Sequence, residues 1–247
     1  MSNKYPGGFI TASPVAPAGP FQDDAASGVW TLSQAAYWQE QGLWPIAGNS
    51  SLPTVGDAYE GGFFAGQIGV NGVATHNLVV GPVSSAYNSS KQWKTSNSAT
   101  TGTDSVINGP ANSAAMNNAS HPAAQFCEAV NVGGYTDWYM PAKNELEVCY
   151  YNLKPTTAAN NTISGTNTNA VPARASNYTG GSPATNPAQT LATNFQSTGT
   201  EDFPASFHWC STQKNDRAWF QAMSSGSQDD YDKTNAPGVR AIRRVAV

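Results

Sequence analysis

The sequence predicts an α+β domain, with two helices set against small, mainly antiparallel sheets and long loops, preceded by an extended N-terminal arm. Apolar residues recur at helical spacing in two places only, Ala123, Phe126, Cys127 and Val130, then Leu146, Cys149, Tyr150 and Leu153. Elsewhere the apolar runs are short and bounded by Gly or Pro, as strands are. Between about 156 and 206 the chain is rich in Asn, Thr, Ala and Pro and has little periodicity. That stretch is too long for a simple connection and reads as an excursion held by the domain.

Residues 1–55 read as the arm. The run Ser13-Pro14-Val15-Ala16-Pro17-Ala18-Gly19-Pro20 favours extended backbone lying over a surface. A short helix follows, with Ser33 as its expected N-cap and Gly42 and Pro45 as stop signals. Trp30, Trp38 and Trp44 crowd this segment and need partners, either the following domain or another protein. From residue 56 to 247 the pattern is that of the main domain. Residues 62–68 and 76–80 read as a hairpin that opens it.

The second helix places Pro141 in its first turn and ends at Pro155. Before it, Gly133 and Gly134 allow a tight reversal, Asp137 is expected to satisfy loop or helix-end amides, and Trp138 to fill the core. The chain closes on strands at 207–212, 217–223 and 239–245. In the middle one, alternation puts Ala218, Phe220 and Ala222 on one face and Trp219, Gln221 and Met223 on the other. Inward small residues then leave Trp219 facing out, either as a contact residue or as a structural Trp under the 156–206 excursion.

Charged residues make up 11% of the chain, well below the roughly 25% usual in soluble proteins. Asn, Ser, Thr, Gly and Ala fill most other polar positions, a composition suited to extracellular or virion proteins. The formal net charge of -4 offers no basic stripe, so no nucleic-acid partner is expected. Arg240, Arg243 and Arg244 read as strand-end charges meeting carboxylates within the fold. No apolar stretch approaches a membrane span, so no membrane insertion is expected, and residues 1–8 lack the apolar core of a signal peptide. Extracellular composition without an export signal suits a virion protein assembled in the host cytoplasm and released by lysis.

Cys127, Cys149 and Cys210 are too widely spaced for a zinc site or a disulfide framework and read as buried thiols, with one bridge left open. Calcium-dependent sugar binding needs six to eight oxygen ligands, and neither a Glu-Pro-Asn loop nor a Trp-Asn-Asp strand is present. Asp229, Asp230 and Asp232 read as a solvated acidic hairpin. His76, His121 and His208 have no well-placed nucleophile, although Cys210 follows His208 by two residues. No cofactor, metal or catalytic residue is expected.

The run Gly133-Gly134-Tyr135-Thr136-Asp137-Trp138-Tyr139-Met140-Pro141-Ala142-Lys143-Asn144-Glu145-Leu146-Glu147, then His208-Trp209-Cys210-Ser211-Thr212, Ala218-Trp219-Phe220, Gly226 and Val239-Arg240-Ala241-Ile242-Arg243-Arg244, resembles the C-type-lectin-like domains of bacterial surface and phage tail proteins. That fold is shared with formylglycine-generating enzymes and with variable proteins of diversity-generating retroelements. Residues 28–33 and 43–45 also resemble short modules of phage tail fibres. The resemblance implies a phage tail-fibre or tail-tip protein that binds a host surface glycan or protein, joins other virion proteins through its arm, and forms a homo-oligomer, with a trimer favoured. The alternatives it leaves are a capsid or tail decoration protein, a bacterial adhesin, and an enzyme that uses Cys210. By that likeness the ligand-facing residues are Asn215, Asp216, Trp219, Gln221, Ser227, Asp229, Tyr231 and Asn235, with Trp219 and Tyr231 as anchors.

Overall fold

The computed structural model describes residues 3–5, 8–10, 31, 33–34, 36–37 and 52–247. The chain divides into two compact units, Met1–Pro53 and Thr54–Val247. In the first, β1 (Asn3–Tyr5) and β2 (Gly8–Ile10) pair as antiparallel strands. Residues 33–34 and 36–37 are helical. The cap is Thr31 and not the expected Ser33, because Gln34 Oε1 accepts from the Thr31 amide at 2.9 Å while the Gln34 amide donates to Thr31 Oγ1 at 3.3 Å. This reciprocal pair leaves Ser33 inside the helix. The rest of the expected arm, including Trp30, Trp38, Trp44, Gly42 and Pro45, lies outside the described residues.

The second unit is mixed α and β, with few helices and small antiparallel sheets. It opens on β3 (Ala58–Tyr59), β4 (Gly62–Val70) and β5 (Val73–Val80). Asn71 and Gly72 join β4 to β5 with φ of 52° and 79°, the left-handed pair that a two-residue hairpin turn demands. The last strand, β12 (Ile242–Ala246), pairs with β5, and β7 (Ala170–Val171) pairs with β4. The end of the chain is thus built into its opening hairpin.

A second sheet has the order β10 (Gln228–Asp232), β9 (Arg217–Ala222), β8 (Phe207–Lys214). A bulge in β8 between Trp209 and Gln213 breaks its register with β9, so alternation does not run through it unbroken. A third, minimal sheet pairs β6 (Tyr87–Asn88) with β11 (Val239–Arg240).

Four helices accompany the sheets: α1 (Val83–Ala86), α2 (Gly109–Ala115), α3 (Pro122–Glu128) and α4 (Lys143–Leu153). The sequence marks only α3 and α4, because α2 is built from Gly, Pro, Ala, Asn and Ser and carries no apolar stripe. α4 starts later than expected. Pro141 precedes the N-cap Ala142, whose amide donates to Glu145 Oε2 at 2.8 Å.

Two apolar clusters fill the interior. One packs α4, through Leu146, Cys149, Tyr150 and Leu153, against Ala65, Ile68, Leu78 and Val80 of the first sheet. The other gathers Trp93, Trp138 and Trp209 with Met116 and α3. The middle strand β9 lies between them: Trp219 touches the first cluster, while Ala218, Phe220 and Ala222 belong to the second. Both faces of the sheet are therefore covered, and the expectation that Trp219 faces solvent is corrected. All three cysteines are free and buried.

The loops are held by buried polar side chains. Lys154 Nζ donates to Ala158 O and Asn160 Oδ1, at 2.5 and 2.6 Å. Glu147 accepts from Tyr178 Oη at 2.6 Å and pairs with Asn167 and Arg174. These bonds tie the 156–206 excursion to α4. At the reversal before α4, Gly133 has φ of 65°, and a Cβ there would lie 2.4 Å from Gly61 Cα. Asp137 does not serve loop amides as expected. Its carboxylate takes a two-pronged bond from Arg243, Nε to Oδ1 at 2.7 Å and Nη2 to Oδ2 at 3.0 Å, the geometry that suits a guanidinium best.

Arg240 is wholly buried. Its Nε donates to Gly81 O at 2.8 Å, Nη1 to Glu201 O and Asp202 O at 2.9 and 3.1 Å, and Nη2 to Glu201 Oε2 at 2.8 Å. Its guanidinium lies 4.7 Å from the Phe203 ring centre. We expect Arg240→Ala to cost about 3 to 5 kcal/mol, since it strands the Glu201 carboxylate and three buried carbonyls. Arg243→Ala should cost about 1 to 2 kcal/mol, because Asp137 is 56% exposed and is solvated when its partner is removed. Urea unfolding of the two variants measures the difference, and equal losses would refute this ranking.

Candidate binding cleft

The aromatic residues of the second sheet gather on one face at its rim. Phe207 stacks on Phe220 with ring centres 4.3 Å apart and planes inclined by 24°. Tyr231 stands edge-on to both, at 6.3 and 6.1 Å, and tilts toward Trp209 at 6.3 Å. Such pairs contribute roughly 0.5 to 1.5 kcal/mol each beyond area burial, which fixes the Tyr231 ring before any ligand arrives. Phe220 and Trp209 are buried, but Phe207 is 43% and Tyr231 37% exposed. These two rings meet solvent from a scaffold of buried neighbours.

Beside them lies a cavity of about 340 Å³ lined by Phe207 and Tyr231, by residues 235–238, and by Ser89 and Ser206. The 235–238 wall is clamped to β8, with the Gly238 amide donating to Phe207 O at 3.0 Å and the Trp209 amide to Gly238 O at 2.9 Å. The Lys91 amide donates to Pro237 O at 3.0 Å, and the β6–β11 pairing brings Ser89 alongside. Asn235 Nδ2 donates back to Asp232 O at 3.2 Å. The walls are thus held by backbone hydrogen bonds, the arrangement that keeps a cleft shaped in the absence of ligand.

Of the eight residues expected to face a ligand, Tyr231 and Asn235 line this cleft. Asp229 is exposed and registers with Phe220. Ser227 lies in the turn between β9 and β10, where its carbonyl accepts from the Ala222 amide. Asn215 and Asp216 form the exposed tip between β8 and β9, at the other end of the strands, and Asn215 has φ of 58°. Trp219 and Gln221 do not line this cleft. The Trp219 ring is only partly exposed and carries Lys143 Nζ at 4.1 Å and Lys214 Nζ at 5.1 Å from its centre. Gln221 is fully buried, with neither carboxamide atom partnered within the protein. The sequence reading passed over Phe207, although its alternation with Trp209 was a usable signal. Ser89 carried none, because only the β6–β11 pairing brings it there.

The acidic hairpin is not simply solvated. Lys214 Nζ and Arg217 Nε hold Asp230 at 2.5 and 2.6 Å, and Arg217 Nη1 lies 3.3 Å from Asp232. Among the described residues no group of three or more His, Cys, Asp or Glu could hold a metal ion.

Behind the cleft wall, His208 is fully buried between Tyr87, stacked at 5.6 Å, and Phe203, edge-on at 5.5 Å. Its Nδ1 lies 3.3 Å from Ser206 O, and a carbonyl can only accept, so Nδ1 carries the proton and Nε2 is bare. Burial lowers the imidazole pKa to about 4, and it raises the Cys210 thiol to about 12. Both groups are held neutral, the opposite of the thiolate–imidazolium pair of a cysteine nucleophile. No protein-family model matches the chain, and no curated protein matches it.

A lowered histidine pKa means that the unfolded chain takes up a proton the folded one refuses. Its stabilising contribution is present above the ordinary value of 6.5 and is lost as pH falls toward about 4. His121 acts in the same direction, also lowered to about 4, by burial and then by Lys94 and Lys233. Glu145, raised to about 7 by burial, acts in the opposite sense and loses stability as pH rises from 4.5. We expect unfolding free energy measured in urea to depend on pH less steeply in His208→Phe than in the native chain between pH 6.5 and 4. Equal slopes would show that His208 titrates normally.

Proposed function

We propose that this chain is a phage virion attachment protein whose Thr54–Val247 unit has a C-type-lectin-like fold and binds a host-surface receptor in the cleft at Phe207 and Tyr231. The observation that carries the reading is the cleft itself, with two partly exposed rings braced by buried aromatics beside a hydrogen-bonded wall. Exposed aromatic side chains held rigidly are the usual anchors of recognition surfaces, because little conformational freedom is lost on binding. The sparse charge of the chain supports the same reading, as do cysteines and a histidine held in unreactive forms. The Met1–Pro53 unit joins the protein to other virion proteins, and the assembly is a homo-oligomer, with a trimer favoured.

Fluorescently labelled protein added to a panel of bacteria should bind one or more strains saturably. Tyr231→Ala and Phe207→Ala should weaken that binding about tenfold or more, whereas Val73→Ala, exposed at the β4–β5 turn of the other sheet, should leave it within about twofold. Trp219→Ala is a stability control, since its partly buried ring packs against the first apolar cluster. Binding to phage particles with none to any cell would instead support a decoration protein.

A further inference from the structure

We infer that the cleft takes a neutral pyranose sugar, a single ring or the end of a short chain, and holds it without a metal ion. This rests on the attachment reading above and adds the chemistry of the ligand. No charged side chain lines the cavity. Its apolar surface comes from Tyr231, Phe207 and the Ala236-Pro237 segment, and its polar groups are the hydroxyls of Ser89, Ser206 and Tyr231 and the Asn235 carboxamide. A pyranose ring has complementary chemistry: a face of C–H groups that packs on an aromatic ring, and a rim of hydroxyls that exchange hydrogen bonds with amides and alcohols. A volume of about 340 Å³ lies at the small end of ligand pockets, which suits one or two rings.

The surroundings argue against other occupants. A peptide adding to the sheet would use the open edge of β10, but Asp229, Asp230 and Asp232 lie along that strand and discourage strand addition. An anionic sugar would face the exposed Asp229, whose own strand neighbours are acidic. Cation-mediated binding would need free carboxylates, and Asp230 and Asp232 are engaged by Lys214 and Arg217.

Saturation-transfer NMR on the full chain tests this with the methyl pyranosides of glucose, galactose, mannose and N-acetylglucosamine, and with sialic acid and glucose 6-phosphate as anionic arms. Each is run in calcium and in EDTA. At least one neutral sugar should bind equally in both, and its affinity should fall about tenfold or more in Tyr231→Ala and Phe207→Ala. Ala236→Trp, which fills the cleft while keeping Phe207 and Tyr231 in the chain, should abolish the signal even if an alanine variant fails to fold. Binding of anionic sugars alone, a requirement for calcium, or no sugar signal would overturn the inference. Cells treated with periodate or with protease separate the two readings. Loss of cell binding after periodate alone supports the sugar, whereas loss after protease alone overturns the sugar and leaves attachment standing. A sugar bound in the cleft by a protein that binds no cell would overturn attachment alone.

Discussion

The buried guanidinium of Arg240 is the interaction on which the architecture turns. A charge taken out of water is costly unless its donors are nearly all satisfied, and Arg240 meets that condition with four acceptors drawn from two distant parts of the chain. Gly81 follows β5, Glu201 and Asp202 end the long excursion, and Arg240 itself lies in β11. Burial lowers its pKa to about 10, with Glu201 opposing the shift, so the cation persists at neutral pH. The same Glu201 oxygen accepts from the Val83 amide at 2.8 Å, which anchors α1. Bonds of this kind fix a loop's exit point where no regular secondary structure could.

That device recurs because so much of the chain is irregular. Every buried backbone amide and carbonyl outside a helix or sheet needs another partner, and here side chains provide many of them. Lys233 resembles Arg240 in this respect. Its Nζ donates to Ser98 O, Gln213 Oε1 and Asn215 O at 2.8 to 3.0 Å and lies 4.3 Å from the Trp93 ring centre. Lys154 and Asn160 do the same for the excursion. Six charged side chains, Glu145, Glu147, Lys154, Lys233, Arg240 and Arg243, are thus buried and act as fasteners, while much of the remaining surface is Asn, Ser and Thr.

This division explains what could be read from the sequence. The hairpin 62–80 and helices α3 and α4 were legible because period and turn chemistry agree there, with Asn71-Gly72 at the one turn and Pro155 after the last helical residue. The partners of Arg240, Arg243 and Arg244 were anticipated in kind, as carboxylates within the fold: Glu201, Asp137 and Glu145. Trp219 and Gln221 were misplaced for an identifiable reason. Alternation assigns two faces to a strand but does not say that one face is wet, and β9 runs between two apolar clusters. Of the cleft, Tyr231 and Asn235 were reached only through the lectin-like resemblance, with which their polar or aromatic character is compatible. Its other wall depends on β6 meeting β11 across roughly 150 residues of sequence, a pairing two residues long with no local signature.

The position of the cleft follows from the same burial. A sheet covered on both faces can present side chains only at its rim, where the flanking clusters end. Phe207 begins β8 and Tyr231 sits in the edge strand β10, so their rings are backed by Phe220 and Trp209 yet keep about two-fifths of their surface in water. A bulge in β8 sets the three residues between Trp209 and Gln213 against the single Trp219 of β9, two extra residues that shift the register. This offset accompanies the approach of Tyr231, which registers with Ala218, to Phe207, which registers with Ala222. The segment after β10 then returns alongside β8 and is clamped there through Gly238. Core packing thus holds the exposed aromatic pair in place, and backbone hydrogen bonds to β8 hold the wall beside it.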